Sequence, residues 1–195
     1  MATKSIMIVG VGGQGSLLAS KLLGRVLLAA GHDVKVSEVH GMAQRGGSVV
    51  TYVKYGEKVY SPVIEQGEAD IIVSFELCEA ARWLAYLKQG GRLVTGDQQI
   101  PPMPVITGAA RYPEDVARRI AETGSSIQVV DALSLARRAG SAKAVNVVMM
   151  GVLSTLMEFD RQMWQQALEE AVPARFLEMN KTAFALGREA AISFA

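Results

Sequence analysis

The first thirty residues restrict the fold more than any other stretch of the chain. Ser5 to Val9 is a short apolar run that ends in Gly10-Val-Gly-Gly-Gln-Gly15. A run of that length bounded by glycine reads as a buried strand. Leu17, Leu18, Leu22, Val26 and Leu27 then recur at helical spacing, which predicts a helix from about Gln14 to Ala30, stopped at Gly31. Strand, glycine turn and helix together make an anion site, because the first amides of a helix lack partners and carry the positive end of its dipole. Gly10, Gly12 and Gly15 match the GxGxxG spacing of dinucleotide-binding units, a Rossmann-like start. The same spacing also serves plain strand-to-helix packing, so the motif alone does not fix a ligand.

A second polar turn follows. Asp33 to Ser37 is strand-like, and Glu38-Val-His-Gly-Met-Ala-Gln-Arg-Gly-Gly-Ser48 leads into another strand-like run, Val49 to Tyr55. The turn offers Glu38, His40, Gln44, Arg45 and Ser48 side chains together with the flexible backbone of Gly46 and Gly47. Arg45 can grip a carboxylate or phosphate through two parallel hydrogen bonds. Glu38 stands where a dinucleotide site would hold ribose hydroxyls. A dinucleotide unit, however, would run on into a crossover helix. Here Val49 to Tyr55 and Lys58 to Val63 suggest an inserted β-hairpin turning at Gly56. The candidate ligand-binding set is therefore Gly10, Gly12, Gly13, Gln14, Gly15, Glu38, His40, Gln44, Arg45, Gly46, Gly47 and Ser48. No residue is assigned a catalytic role.

Downstream, Ala69 to Ser74 reads as a buried strand, followed by a helix from Phe75 or Glu76 through Lys88 that Gly90-Gly91 ends. Ser74 and Glu76 fall where open α/β sheets bind ligands, although Glu76 also suits an ordinary helix first turn. Cys78 reads as a small buried apolar residue. Arg92 to Thr95 is strand-like, Gln98 to Pro104 a proline-rich loop, and Val105 to Thr107 a possible short strand. Pro113 is placed to open a helix to Glu122. Ser126 to Val130 is a strand, and Ala132 to Ala139 a helix stopped by Gly140. Ala144 to Glu158 is apolar nearly all round and predicts a buried helix. Its Asn146 must find partners, either by holding a loop or by contacting a ligand. Gly151 and Ser154 would admit a close backbone. Two helices complete a helical C-terminus, Arg161 to Val172 and Pro173 to about Ile192, the last with Phe176, Met179, Ala183, Phe184 and Leu186 as its apolar stripe. The alternation of strands and helices predicts one domain over residues 1–195.

Composition excludes several classes. The chain has 195 residues and a formal net charge of +1, with no basic stretch to displace phosphate counterions, so nucleic acid is not expected as a partner. Its two histidines, His32 in a turn that should be solvated and His40, do not make a metal site. One cysteine permits neither an internal disulfide nor a four-thiolate iron–sulfur cluster, and it fits a reduced, cytoplasmic setting. No apolar window reaches the ~20 residues of a membrane span.

Gly10 to Gly15, Ser37 to Ser48, and Asn146 ahead of Met149-Met-Gly151 together resemble the gamma subunit or domain of the 2-oxoacid:ferredoxin oxidoreductases, and are most similar to the small subunit of the indolepyruvate enzymes. The resemblance implies a three-layer α/β/α fold with a mostly parallel sheet. It also implies a large partner subunit that carries the thiamine diphosphate and the iron–sulfur clusters. That complex oxidatively decarboxylates a 2-oxoacid to an acyl-CoA and passes electrons to ferredoxin, so ferredoxin would be an indirect partner. This chain would hold no cofactor covalently or through metal ligands. Its expected part is to help form the coenzyme A site, whose phosphates suit glycine-turn amides and Arg45. Two other readings remain: a self-sufficient NAD(P)-dependent oxidoreductase, and a non-catalytic nucleotide- or CoA-binding module.

Overall fold

The computed structural model describes residues 3–40 and 46–192. Among these residues six strands form one sheet in the order β2-β3-β1-β4-β5-β6, with β1 at Lys4–Val11, β2 at Asp33–His40, β3 at Ser48–Gly56, β4 at Ala69–Ser74, β5 at Leu87–Gly96 and β6 at Ser126–Val130. The β1–β4, β4–β5 and β5–β6 pairs are parallel, whereas β3 runs antiparallel to both β1 and β2. Five strands therefore point one way and β3 is reversed among them. The C-terminal ends of those five, with the start of β3, make one rim, termed here the upper rim.

The helices are α1 (Ser16–Ala29), α2 (Leu77–Trp83), α3 (Met103–Ile106), α4 (Val116–Glu122), α5 (Ala132–Ala139), α6 (Val145–Thr155), α7 (Arg161–Ala171) and α8 (Ala174–Ile192). They cover both faces of the sheet, so the three-layer α/β/α architecture holds. On one face Ile6, Ile8, Val53 and Val94 pack with residues of α1, α5, α6, α7 and α8. On the other, Met7, Val9, Ile72 and Leu93 pack with α2, α4 and Ile64. β1 is apolar on both sides because it is central, as its unbroken run of buried residues shows. α6 is buried from Val145 to Ser154. It lies backbone-to-backbone against α8: a Cβ on Gly151 would sit 2.2 Å from the Phe184 carbonyl oxygen, and one on Gly187 would sit 2.0 Å from that of Val148. The close approach expected at Gly151 is thus made by glycines from both helices.

Several sequence expectations need correction. The hairpin is not 49–55 with 58–63. It is β2 with β3, and β3 already has a strand on each side, which leaves no free edge for Lys58 to Val63. That segment instead wraps the lower rim, held by the Val59 amide on Asp33 Oδ2 (2.8 Å) and by Lys54 Nζ on the Val63 carbonyl (2.8 Å). The helix expected through Lys88 ends at Trp83, and a 3₁₀ turn passes directly into β5. Gly90, at φ 76°, does not stop a helix; it lies within β5, where Leu87 pairs with Ala69 and Arg92 with Ile71 across a bulge. Val105 to Thr107 is no strand, because the turn begun at Pro102 closes as helix, with the Ile106 amide on the Pro102 carbonyl (3.1 Å). α4 starts after Pro113, at Val116, since Asp115 takes a left-handed φ of 52°. His32 is not simply solvated: its ring stands edge-on to Tyr55 and Phe159, at 5.2 and 5.8 Å. Phe176 is 43 % exposed and lies off the apolar stripe of α8. Cys78 is half-buried rather than a core residue. No helix among the described residues is long and apolar enough to cross a membrane.

Candidate functional site

The chain runs outward in both directions from β1, with β3 and β2 on one side and β4, β5 and β6 on the other. A reversal of this kind opens a crevice at the carboxyl ends of the central strands. The first glycine turn lies there. Gln14 folds back beneath it: its Oε1 accepts the Val11 amide (2.7 Å), and its Nε2 donates to the Phe75 carbonyl (3.0 Å) and approaches Gln98 Oε1 (3.4 Å). Gly10 makes room for this brace, since a Cβ there would be 2.8 Å from Gln14 Oε1. Gly13 and Gly15 have φ of 101° and 87°, a region that other residues avoid. Gly15 is the N-cap of α1, and no side chain caps it; the Leu18 amide turns back to the Gly15 carbonyl (3.2 Å), which leaves the Ser16 and Leu17 amides as the open donors of the first turn.

Asn146 comes from α6, 131 positions away, and resolves the choice left open by the sequence. It is 3 % exposed and donates from Nδ2 to the Gly15 carbonyl (3.0 Å), while its Oδ1 accepts the Val147 amide (2.9 Å). It holds the turn. A Cβ on Gly15 would lie 2.4 Å from Asn146 Nδ2, so the two residues fit only as a pair.

The second turn meets the first. The Gly12 amide donates to the Gly47 carbonyl (2.8 Å), and the Gly46 amide reaches back to the Gly12 carbonyl (3.5 Å). Ser48 opens β3 and donates its hydroxyl to Glu79. Glu38, two residues before the end of β2, faces α1, where Ser16 Oγ donates to its carboxylate (3.3 Å). The structure thus joins Gly12, Gly46 and Gly47 directly, with Gly13, Gly15 and Glu38 beside them. The hydroxyl of Ser48 and the amide of Gln14 are engaged within the chain. Gln44, Arg45 and the His40 side chain lie outside the described residues.

Two clefts flank the start of α1. One, of about 310 Å³, is bounded by Gly12, Ser16, Leu17, Glu38 and Val49. The other, of about 470 Å³, is bounded by Gly13, Gly15, Gln98, Ile100, Lys143 and Val145. The first combines a carboxylate and a hydroxyl, which suit a neutral hydroxyl-bearing group. The second combines helix-start amides with an exposed ammonium, which suit an anion. Lys143, Gln98 and Ile100 escaped sequence reasoning. Lys143 lies only three residues before Asn146, but nothing in that spacing shows that α6 begins beside Gly15. Clefts of about 410 and 330 Å³ also lie on the lower rim, where Asp70 and Lys88 line both and pair with each other. Lys4, Lys54 and Lys88 there face carboxylates of the same chain, and the clefts lie away from the strand ends at which open sheets bind ligands.

The remaining rim groups organise backbone. Glu76 is 1 % exposed and caps α2; its oxygens accept the Glu79 amide (2.8 Å), the Ile100 amide (3.1 Å) and the Tyr112 hydroxyl. Burial, then the bond to Glu76, pushes the Tyr112 phenol far above its ordinary range. Ser74 is turned onto the Glu76 backbone (2.6 Å). Burial, then the Glu76 charge, pushes the Cys78 thiol up, the opposite of what a nucleophile needs. Burial, followed by the charge of Asp131, likewise raises the Asp97 carboxyl. Among the described residues no three His, Cys, Asp or Glu side chains come together to hold a metal ion.

Residues 5–190 match the family model described as pyruvate ferredoxin/flavodoxin oxidoreductase. The chain is 43 % identical to the indolepyruvate oxidoreductase subunit IorB of Thermococcus kodakarensis, over 98 % of this chain and 97 % of that one. It is also similar in fold to the gamma subunit of a keto/oxoacid ferredoxin oxidoreductase from Geobacter sulfurreducens, with a TM-score of 0.73, 21 % identity, and 97 % and 99 % of the two chains covered. A 2-oxoglutarate:ferredoxin oxidoreductase from Magnetococcus marinus, solved with 2-oxoglutarate, coenzyme A and succinyl-CoA bound, superimposes with a TM-score of 0.78 at 18 % identity, over 100 % of this chain and 32 % of that one.

Proposed function

Because this chain belongs to the pyruvate ferredoxin/flavodoxin oxidoreductase family, we propose that it is the small subunit of a 2-oxoacid:ferredoxin oxidoreductase complex, acting on indolepyruvate, and that its upper rim forms part of the coenzyme A site. The larger partner carries the thiamine diphosphate and the iron–sulfur clusters. Thiamine diphosphate supplies the chemistry that cleaves the bond to the departing carboxylate. A single cysteine leaves this chain without the thiolates that a cluster requires. Its own residues bind and orient.

The observation that carries this reading is the bond from the Gly12 amide to the Gly47 carbonyl, which joins the two donor-rich turns into one cradle at the start of α1. A phosphate of coenzyme A suits the cleft with Lys143, where helix-start amides and an ammonium supply donors and positive charge. A ribose hydroxyl suits Glu38 and Ser16. By its chemistry Arg45 would add a further charged donor for the same phosphate. The dinucleotide reading is weakened by the topology: β3 stands between β1 and β2, where a dinucleotide-binding unit would set β2 directly beside β1.

The test uses the complex. The chain should co-purify with a thiamine-dependent iron–sulfur protein. Arg45→Ala should raise the KM for coenzyme A with assembly intact, the loss of one charge-assisted contact costing about 1.5–3 kcal/mol. An unchanged KM would remove Arg45 from the site, and a chain that purifies without such a protein would overturn the complex.

A further inference from the structure

We propose that Glu79 is a positioning residue for the coenzyme A site: from α2 it holds Ser48, and through Ser48 the contact between the two glycine turns. This rests on the reading of the upper rim given above.

In Leu77-Cys-Glu79-Ala-Ala-Arg82-Trp83, positions 79, 82 and 83 share one face of the helix. That face turns toward the start of β3. Glu79 is 5 % exposed, and its carboxylate takes three donors: the Ser48 hydroxyl, Arg82 Nε (3.0 Å) and Trp83 Nε1 (3.3 Å). The indole also reaches Ser48 Oγ (3.4 Å), which closes a triangle around the serine. A buried carboxylate is costly unless its oxygens are bonded, and these donors meet that need. The Arg82 charge offsets that of Glu79, so the cluster adds little repulsion toward an anionic ligand.

The place of Ser48 gives the cluster its importance. Ser48 pairs with Val11 at the last rung of the β1–β3 ladder. Beyond it come Gly47 and Gly46, which have no side chains to pack. Gly47 nevertheless carries the carbonyl that receives the Gly12 amide. The links run from α2 through Glu79, Ser48 and Gly47 to Gly12 and the start of α1. Without the Glu79 anchor the second turn would keep its covalent connection but lose the side-chain bond that fixes its foot. Small displacements of binding groups weaken binding steeply.

The experiment compares Glu79→Ala, Glu79→Gln and Arg45→Ala in the assembled complex, with KM for coenzyme A, KM for the 2-oxoacid, kcat and Tm as readouts. Glu79→Ala should raise the KM for coenzyme A about tenfold, with the other KM and kcat within about twofold. Glu79→Gln should recover most of the loss, because its amide oxygen still accepts the Ser48 hydroxyl. If Arg45→Ala raises the KM for coenzyme A while both Glu79 variants leave it unchanged, the positioning role is overturned and the coenzyme A reading stands. If none of the three moves it, that reading falls and the role falls with it. If both Glu79 variants lower Tm and raise the two KM values together, Glu79 only stabilises the fold, and the proposal is likewise overturned.

Discussion

The two rims of the sheet handle polar side chains in opposite ways. On the upper rim Glu76, Glu79 and Asn146 are buried to 1, 5 and 3 % exposure and bond to the chain at distant positions. On the lower rim Lys4 and Lys88 share Asp70, and Lys54 meets Glu68, mostly in reach of solvent. Exposed ion pairs gain little, because water and salt already satisfy the charges. A buried acceptor is different: once its donors leave water they must be met by protein, so its removal leaves them stranded. The lesson is that the number of charged groups says little about where the fold is held rigid. The upper rim is built so that loops far apart in sequence have one arrangement.

This contrast can be broken or sharpened by three substitutions. Glu76→Ala should have the largest effect, a loss of about 3 kcal/mol in urea unfolding, because the Ile100 amide, the Glu79 amide and the Tyr112 hydroxyl would lose their acceptor together. A loss below about 1 kcal/mol would mean that water replaces the carboxylate and that the upper rim is no more rigid than the lower. Asn146→Ala should cost less, about 1–2 kcal/mol, by leaving the Gly15 carbonyl without its side-chain donor. Hydrogen exchange should then quicken at the start of α1 while that of β4 and β5 stays as it was. Lys88→Ala should change stability by about 0.5 kcal/mol or less, since Asp70 keeps Lys4 and the Ser5 amide. A large loss there would erase the distinction between the rims.

The two faces of the sheet also differ, and the difference bears on what could be foreseen. The α6 side is covered by long helices whose periodicity was plain, and Ala132–Ala139 and Arg161–Ala171 fall at or within a residue of expectation. The α2 side is made of short pieces whose ends are decided by single residues. Asp115 in a left-handed conformation delays α4, and Gly90 in the same region produces a bulge where a helix stop was expected. Local propensity separates such outcomes poorly, because one glycine serves a cap, a bulge or a turn equally well.

The sequence alone determined the strand–turn–helix opening, the buried character of α6, and the family. These follow from local rules: apolar period, glycine freedom, and the donors that each side chain carries. Tertiary structure decided which groups meet. It put β3 between β1 and β2, brought Asn146 to Gly15, aimed Glu79 at Ser48, and set Lys143 beside the first turn. Such pairings join positions up to 131 apart, and they depend on how helices pack across the sheet. No local pattern encodes that, because a side chain's partner is fixed by the path of the whole backbone and not by its neighbours in the chain.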